Sequence, residues 1–522
     1  MEENFKDSKS KIGWTALIIV SLSAFVIALD STFMNVAITT LVKDLNTTVS
    51  VIQTIISVYT LTMASLMLIG GKMQDVLGKK RAFLIGACIY GTGTAIAALS
   101  INSFMLLIGW SILEGVGAAL MTPATASIIT GTYSGKDRAF ALGIWTAMAG
   151  VAAAIGPLIG GFLTTFFSWR WGFGLELIVI ATILLNSHKI KYFPPTMKKS
   201  QIDIIGGILS ASGLLLIVLG VLSLNSLKRW EQAPFLIGGG ILVLSLFYIR
   251  ERKRLRGNKK PLTDIRLFKD RNFTLGTLSR LIMQLALAGA VFVLPVFLQG
   301  VLGADAFTTG LVLLPLTVGL LIFSIASSKI SSYISPRRMI SMGFLVGMAG
   351  SLLLRYQFNL NTQITDLIPG TFLIGVGLGL SIPPTANLIL SSAGADKQAD
   401  ASGVMTTGAN LGSSIGTALI GVVLLLGTFS GLSTAVQQNF PNEYSKQEVQ
   451  QNLMTWIEKM KTVDIQGLKE NEKSTAYIVV NSTLSSAMKS AFDSVSIVML
   501  LGFILSLFLR PPKPNKGVYP HD

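Results

Sequence analysis

Apolar residues along this 522-residue chain come in long blocks, with the charged residues gathered between them. Neither strand alternation nor a one-sided helical stripe describes most of the sequence. A helix crossing a bilayer needs about 20 mostly apolar residues. Fourteen stretches meet that demand: 13–41, 50–71, 82–101, 104–130, 139–167, 171–188, 203–226, 233–249, 273–300, 307–328, 339–356, 366–391, 401–428 and 489–509. The first is too long for the apolar core of a cleaved leader. It also holds Asp30 and lacks a small-residue cleavage site before polar sequence, so it reads as a span. The predicted fold class is all-α integral membrane, with fourteen transmembrane helices.

The loops carry the next signal. Basic residues cluster before the first span (Lys6, Lys9, Lys11) and in alternate connections: Lys72/Lys79/Lys80/Arg81, Lys189/Lys191/Lys198/Lys199, Arg250 to Arg271, and Lys329/Arg337/Arg338. Such residues favour the cytoplasmic side, so both termini are expected inside a multi-pass protein of the cell membrane. The net charge of +16 is thus a topology signal, with contact to anionic lipid, and no nucleic-acid partner is expected. One outer loop is long, 430–488. Within it Val449, Leu453, Trp456, Ile457, Met460 and Val463 recur at helical spacing and predict an amphipathic helix on the outer surface.

Composition agrees. Hydrophobic residues make up 51% and charged residues 13%, about half the charge of a soluble domain. One cysteine, Cys88, and two histidines, His188 and His521, leave no material for a disulfide framework or a Cys/His metal centre. There is no phosphate-binding GxxxxGK[ST] loop. No cofactor, metal or enzymatic activity is expected.

The chain also repeats. KMQDVLGKKRAFLIG from Lys72 aligns without gaps on KISSYISPRRMISMG from Lys329, matching Lys80–Arg81 with Arg337–Arg338 and Gly86 with Gly343. Helices 1–6 and 9–14 then read as parallel copies, the plan of transporters with a midplane site between two halves. The expected division is an N-terminal six-helix bundle (1–188), inserted helices 7 and 8 with a basic connector (189–271), and a C-terminal bundle (272–522).

Four ionisable residues fall inside predicted spans: Asp30, Glu114, Glu176 and Arg280. Each costs about 2.5–3.5 kcal/mol at a helix centre, so each marks a site or a pair. At 1.5 Å per residue, Asp30 and Glu176 are expected in the outer half, Glu114 near the midplane and Arg280 in the inner half. Arg280 either neutralises one of the acids or holds an anionic group.

Several motifs carry a resemblance. LDSTFMNVAITTL from Leu29, GGKMQDVLGKKR from Gly70 to Arg81, GVAAAIGPLIGG from Gly150 to Gly161, SWRW from Ser168, and the Tyr248–Phe268 stretch occur in order. Together they resemble the major facilitator superfamily, in its fourteen-helix drug:proton antiporter branch. The resemblance implies that Asp30 couples protons and recognises cations. It implies a conformational lock from Gly71, Asp75, Gly78 and Arg81 with Arg138, and an exporter motif from Gly150, Gly156, Pro157, Gly160 and Gly161. The pattern departs at Ser111, Glu114, Glu176 and Ala409, where the branch shows Arg, Gln, Asn and Arg. A central cavity is implied, with Phe33, Met34, Asn35, Tyr59, Trp145, Met148, Met283, Gln284, Phe292, Phe297, Gln299 and Asn387 as candidate lining.

The function so implied is export of amphiphilic, expectedly cationic, compounds in exchange for protons, by a monomer using alternating access. Proton and substrate competing for one buried carboxylate would enforce the exchange. The alternative is an exporter of lipids or anionic metabolites with Arg280 as an anion contact.

Overall fold

The computed structural model describes residues 14–133, 135–198, 203–224, 229–257, 259–330, 333–359, 362–393, 397–439 and 475–510. They form fourteen long helical segments: α1 (Thr15–Asp44), α2 (Val49–Leu77), α3 (Lys79–Ala98), α4 (Ser103–Thr132), α5 (Gly135–Phe166), α6 (Arg170–Leu185), α7 (Ile204–Ser223), α8 (Gln232–Arg256), α9 (Arg271–Gly300), α10 (Ala306–Ile330), α11 (Pro336–Gln357), α12 (Ile364–Ser392), α13 (Gln398–Asn439) and α14 (Thr475–Ser506). Twelve are long and apolar enough to cross a membrane; α5 and α6 complete the set.

Local chemistry sets the helix starts. The side chains of Thr48, Asn102, Asp203 and Asp270 accept the backbone N–H of Val51, Met105, Gly206 and Phe273, which satisfies donors that the first helical turn leaves free. Pro336 opens α11, where a missing N–H costs nothing. Gly78 turns the chain between α2 and α3 at φ +85°, with the Phe193 carbonyl against it.

Two helices are not uniform. Met34–Ala37 tightens into a 3₁₀ turn within α1, and Leu107–Glu114 widens into π-helix within α4. The helix ends also pass the apolar runs. Residues 430–439 extend α13 and 475–488 belong to α14, so the expected loop 430–488 is shorter at both ends. Ser430, Ser433 and Gln437 continue the helix because polarity limits burial in lipid, not helix formation. The amphipathic segment expected around 449–463 lies outside the described residues.

Packing follows the internal repeat. In the first half α1 packs on α5 and α6, and α4 on α2 and α3; in the second, α9 packs on α13 and α14, and α12 on α10 and α11. Small residues set equivalent seams. Gly156 and Gly160 let α5 approach Thr32 and Phe33 of α1, while Gly412 and Gly416 let α13 approach Leu281 and Leu285 of α9. A side chain at these glycines would hold the backbones apart. Between the halves, α2 meets α13 and α5 meets α10, the same pairing under exchange of the copies. Helices α7 and α8 pair with each other, and α7 rests on both α2 and α13 through Leu61, Leu214, Val218 and Ala418.

Polar contacts tie the halves together at both ends. Near the α9 C-terminus, Gln299 donates to the Val36 carbonyl and to Thr309 Oγ1 (3.2 Å), and accepts from Thr39 N–H (3.3 Å). Phe307 N–H donates to Thr165 Oγ1 at 3.0 Å. At the end bearing the basic loops, Lys72 Nζ of α2 pairs with Asp400 of α13 at 3.0 Å. Along the α2–α13 seam, Ser414 donates to the Ser57 carbonyl at 2.7 Å, and Gln53 donates to the Thr417 carbonyl.

Candidate functional site

The three intramembrane acids converge. Asp30 of α1, Glu114 of α4 and Glu176 of α6 are fully buried, and each contributes a carboxylate oxygen to a group within 4.8 Å of one another. Counting residues from the loops spreads these acids over different depths. The folded helices bring them into one cluster, helped by close approach of α3 and α4: Gly93 faces the Gly109 carbonyl and Glu114 itself, and Gly86 and Gly117 continue the seam.

Aromatic donors surround the cluster. Trp110 Nε1 donates to Asp30 Oδ1 (2.8 Å) and Oδ2 (3.0 Å), and Tyr90 OH donates to Glu176 Oε2 (3.1 Å). Tyr59 stacks on Trp110 at 5.5 Å, and Phe173 stands edge-on to both Phe33 and Trp110. Neither oxygen of Glu114 has a hydrogen-bond partner among the described residues. The π-helical turn ends at Glu114 and includes Trp110, so one backbone irregularity aims both side chains. Such turns recur at functional sites.

Charge limits what this cluster can be. Two carboxylates 4.8 Å apart repel by about 3–4 kcal/mol at an effective dielectric constant of 20. With three together, away from water, the cluster calls for positive charge to balance it. An oxygen triad also resembles a cation site. Here, however, an indole N–H and a phenol O–H occupy lone pairs on two of the three carboxylates, and an indole N–H cannot ligate a metal. The surroundings suit protons better than a metal ion.

Arg280 stands apart. The described residues include no ion pair to it, and its Nε and Nη1 are buried without hydrogen-bond partners. The expected neutralisation of one acid by Arg280 is absent from this arrangement, because the acids close on one another inside the first half. Gln284, one turn along, lies 3.5 Å from Ser413 of α13.

The remaining candidates divide. Phe33, Met34, Tyr59, Met283, Phe292 and Phe297 are buried core residues. Phe297 packs on Phe358 within the second bundle, and Met283 lies against Thr385 of α12. Asn35 donates to the Ser31 carbonyl. Trp145 is half-buried with its Nε1 unpartnered. Met148 lines a groove of about 300 Å³ between α1 and α5 with Trp14, Ile18 and Phe140. Gln299 links the halves. Asn387 is exposed, opposite the face by which Thr385 and Ile389 meet α9.

In the glycine-rich loop the ion pair falls on Lys72 and not on Asp75, which forms none among the described residues. Asp75 contributes its carbonyl, accepting from Thr196 and Met197 N–H at 2.8 and 2.9 Å. Gly71 borders open space, Arg81 lies over Tyr192, and the Arg138 side chain lies outside what is described. Gly150 touches Leu321 of α10, and Gly161 meets Ala306, while the Pro157 carbonyl faces Gly310. The exporter motif therefore serves both the α1–α5 seam and the contact between halves. The connector between α8 and α9 joins this end: Asp264 pairs with Arg266 (2.8 Å) and Lys397 (3.0 Å), and its N–H donates to Asp400 (3.2 Å).

Sequence reasoning missed Trp110 and Tyr90. Trp110 lies four residues before Glu114, an aromatic donor one turn from a buried acid, and that spacing was the available signal. Tyr90 gave no comparable signal.

Comparison with known proteins agrees with this architecture. The Major Facilitator Superfamily profile matches residues 20–203 and 189–417. The methylenomycin A resistance protein of Bacillus subtilis (strain 168) is 27% identical over 430 residues, 81% of this chain and 90% of that protein. The multidrug transporter protein MdtP of the same organism is 27% identical over 535 residues, covering 98% and 95%. The crystal structure of a bacterial homologue of the human lysosomal transporter Spinster, inward-facing and occupied, shares the fold, with TM-score 0.59 and 14% identity over 95% of this chain and 96% of that one. The chain belongs to the Major Facilitator Superfamily.

Proposed function

We propose that this protein is a multidrug exporter that moves amphiphilic compounds across the cell membrane in exchange for protons. The carrying observation is the contact of Asp30, Glu114 and Glu176 in one buried cluster. Protons entering the cluster relieve its repulsion, and their release restores it. That swing biases α1, α4 and α6, which hold the three acids. The two six-helix halves, 1–188 and 272–522, rock about the α2–α13 and α5–α10 contacts, with 189–271 as the insertion between them. Gln299 closes one end and Lys72–Asp400 the other. The names of the relatives, a resistance protein and a multidrug transporter, support efflux as the direction.

A transmembrane pH gradient suffices as driver, since each pH unit is worth about 1.4 kcal/mol per proton moved. The test is efflux of a lipophilic monocation from proteoliposomes under an imposed gradient, comparing wild type with Asp30→Asn. Gradient-dependent transport that collapses in the variant is expected. Wild-type transport indifferent to the gradient would refute proton coupling.

A further inference from the structure

We propose that Arg280, with Gln284 and Asn410, forms a substrate subsite on the second half that takes the anionic head of an amphiphile. This rests on the export reading and names a substrate class for it.

The placement follows from helical geometry. Helix α9 meets α13 through Thr277, Leu281 and Leu285, and meets α12 through Gly276 and Met283. At 100° per residue, Arg280 and Gln284 lie on the arc between those two contacts. Gly289, on the opposite arc, touches Val495 of α14. Arg280 therefore points to the junction between the halves, where an alternating-access exporter carries its substrate. Gln284 reaches Ser413 on α13. Asn410, three residues earlier on α13, has a buried Nδ2 without a partner.

The chemistry of this set is one-sided. Arg280 on α9 and Asn410 on α13 each keep a buried donor unmet, and the described residues give Arg280 no carboxylate. A buried cation of this kind is retained at a cost, and a planar guanidinium suits a carboxylate by two parallel N–H···O bonds. The protein's own intramembrane acids do not meet the demand. They are closed in the first half behind Trp110, Tyr59 and Phe173. An amphiphile arriving between the halves meets Arg280 directly, with Leu287 and Val291 continuing the same arc for its apolar part.

The experiment uses the full chain with two probes, a dansyl-labelled fatty acid and tetraphenylphosphonium. Transport of both is followed in proteoliposomes under a pH gradient, and fatty-acid binding is measured separately in nanodiscs. The ratio of fatty-acid to phosphonium transport is expected to fall at least tenfold in Arg280→Gln and to recover in part in Arg280→Lys. Binding of the fatty acid should weaken at least tenfold in Arg280→Gln and severalfold in Asn410→Ala. An unchanged ratio with unchanged binding overturns the proposal, as does a wild type that neither binds nor moves the fatty acid. Arg280-dependent binding without transport of either probe upholds the subsite and overturns export instead.

Discussion

The Lys72–Asp400 pair spans the two halves, so its removal should change the balance between conformations more than the fold. At 3.0 Å the gross attraction is about 5 kcal/mol at an effective dielectric constant of 20. Both side chains are about one-fifth exposed (20% and 21%). Solvent screening and the entropy of a fixed lysine reduce the net value to about 1 kcal/mol. Asp400 also accepts the Asp264 N–H at 3.2 Å, a bond that Asp400→Asn keeps. Lys72→Met and Asp400→Asn should therefore each shift the closed-to-open ratio at this end by about fivefold, at about 1.4 kcal/mol per tenfold. The assay is a distance distribution between spin labels on the ends of α2 and α13, in nanodiscs. The double variant should match either single one, because the interaction can be lost only once. Strictly additive single effects would show that the two side chains act independently and would refute the latch.

Three further outcomes follow from the packing and the charges. Arg266 and then Lys397 hold the Asp264 carboxyl well below the usual carboxylate range, against the opposing pull of partial burial; its folded value is depressed, so its contribution is full above the ordinary carboxylate range and is lost as pH falls from that range down through the depressed folded value. Asp264→Asn should lower the melting temperature at pH 7 and flatten its acid dependence, and an unaltered melting curve from pH 7 to pH 3 would refute this. Gly160→Val should push α1 and α5 apart, since a Cβ there would sit 2.6 Å from the Phe33 carbonyl oxygen; about 1–3 kcal/mol of overpacking should appear as a lower melting temperature in detergent. Trp110→Phe keeps an aromatic ring but removes the N–H from Asp30, and a buried acceptor losing its donor costs about 1–3 kcal/mol; proton-driven efflux should fall about tenfold or more with a modestly lower melting temperature, and unchanged efflux would refute a role for this bond.

The architecture was largely legible because lipid imposes it. A bilayer accepts few backbone solutions, so apolar blocks and loop charges mark out helices directly. What the blocks do not mark is where a helix ends, and α13 and α14 run on through serines, threonines and glutamines. The acid cluster was half legible. Charge inside a span flags Asp30, Glu114 and Glu176 one at a time, but counting depth from the loops assumes regular helices and upright axes. The 3₁₀ turn in α1, the π-helical turn in α4 and the glycine seams between α3 and α4 break that assumption. Pairing Arg280 with an acid was reasonable on charge alone. The described residues hold no such pair, and the three acids contact one another instead. Aromatic candidates such as Phe292 and Phe297 fill the core of the second bundle, where large side chains also serve packing.

The seating of α7 and α8 makes the molecule lopsided toward the lipid around it. Its two halves touch along two lines, α2 with α13 and α5 with α10, and the inserted pair covers only the first, through Leu61, Leu214, Val218 and Ala418. On that flank, any parting of the halves opens onto protein. On the α5–α10 flank it opens onto acyl chains. The inserted pair therefore covers one line of contact between the halves and leaves the other, built on Gly150, Pro157, Gly161 and Gly310, without a covering helix among the described residues.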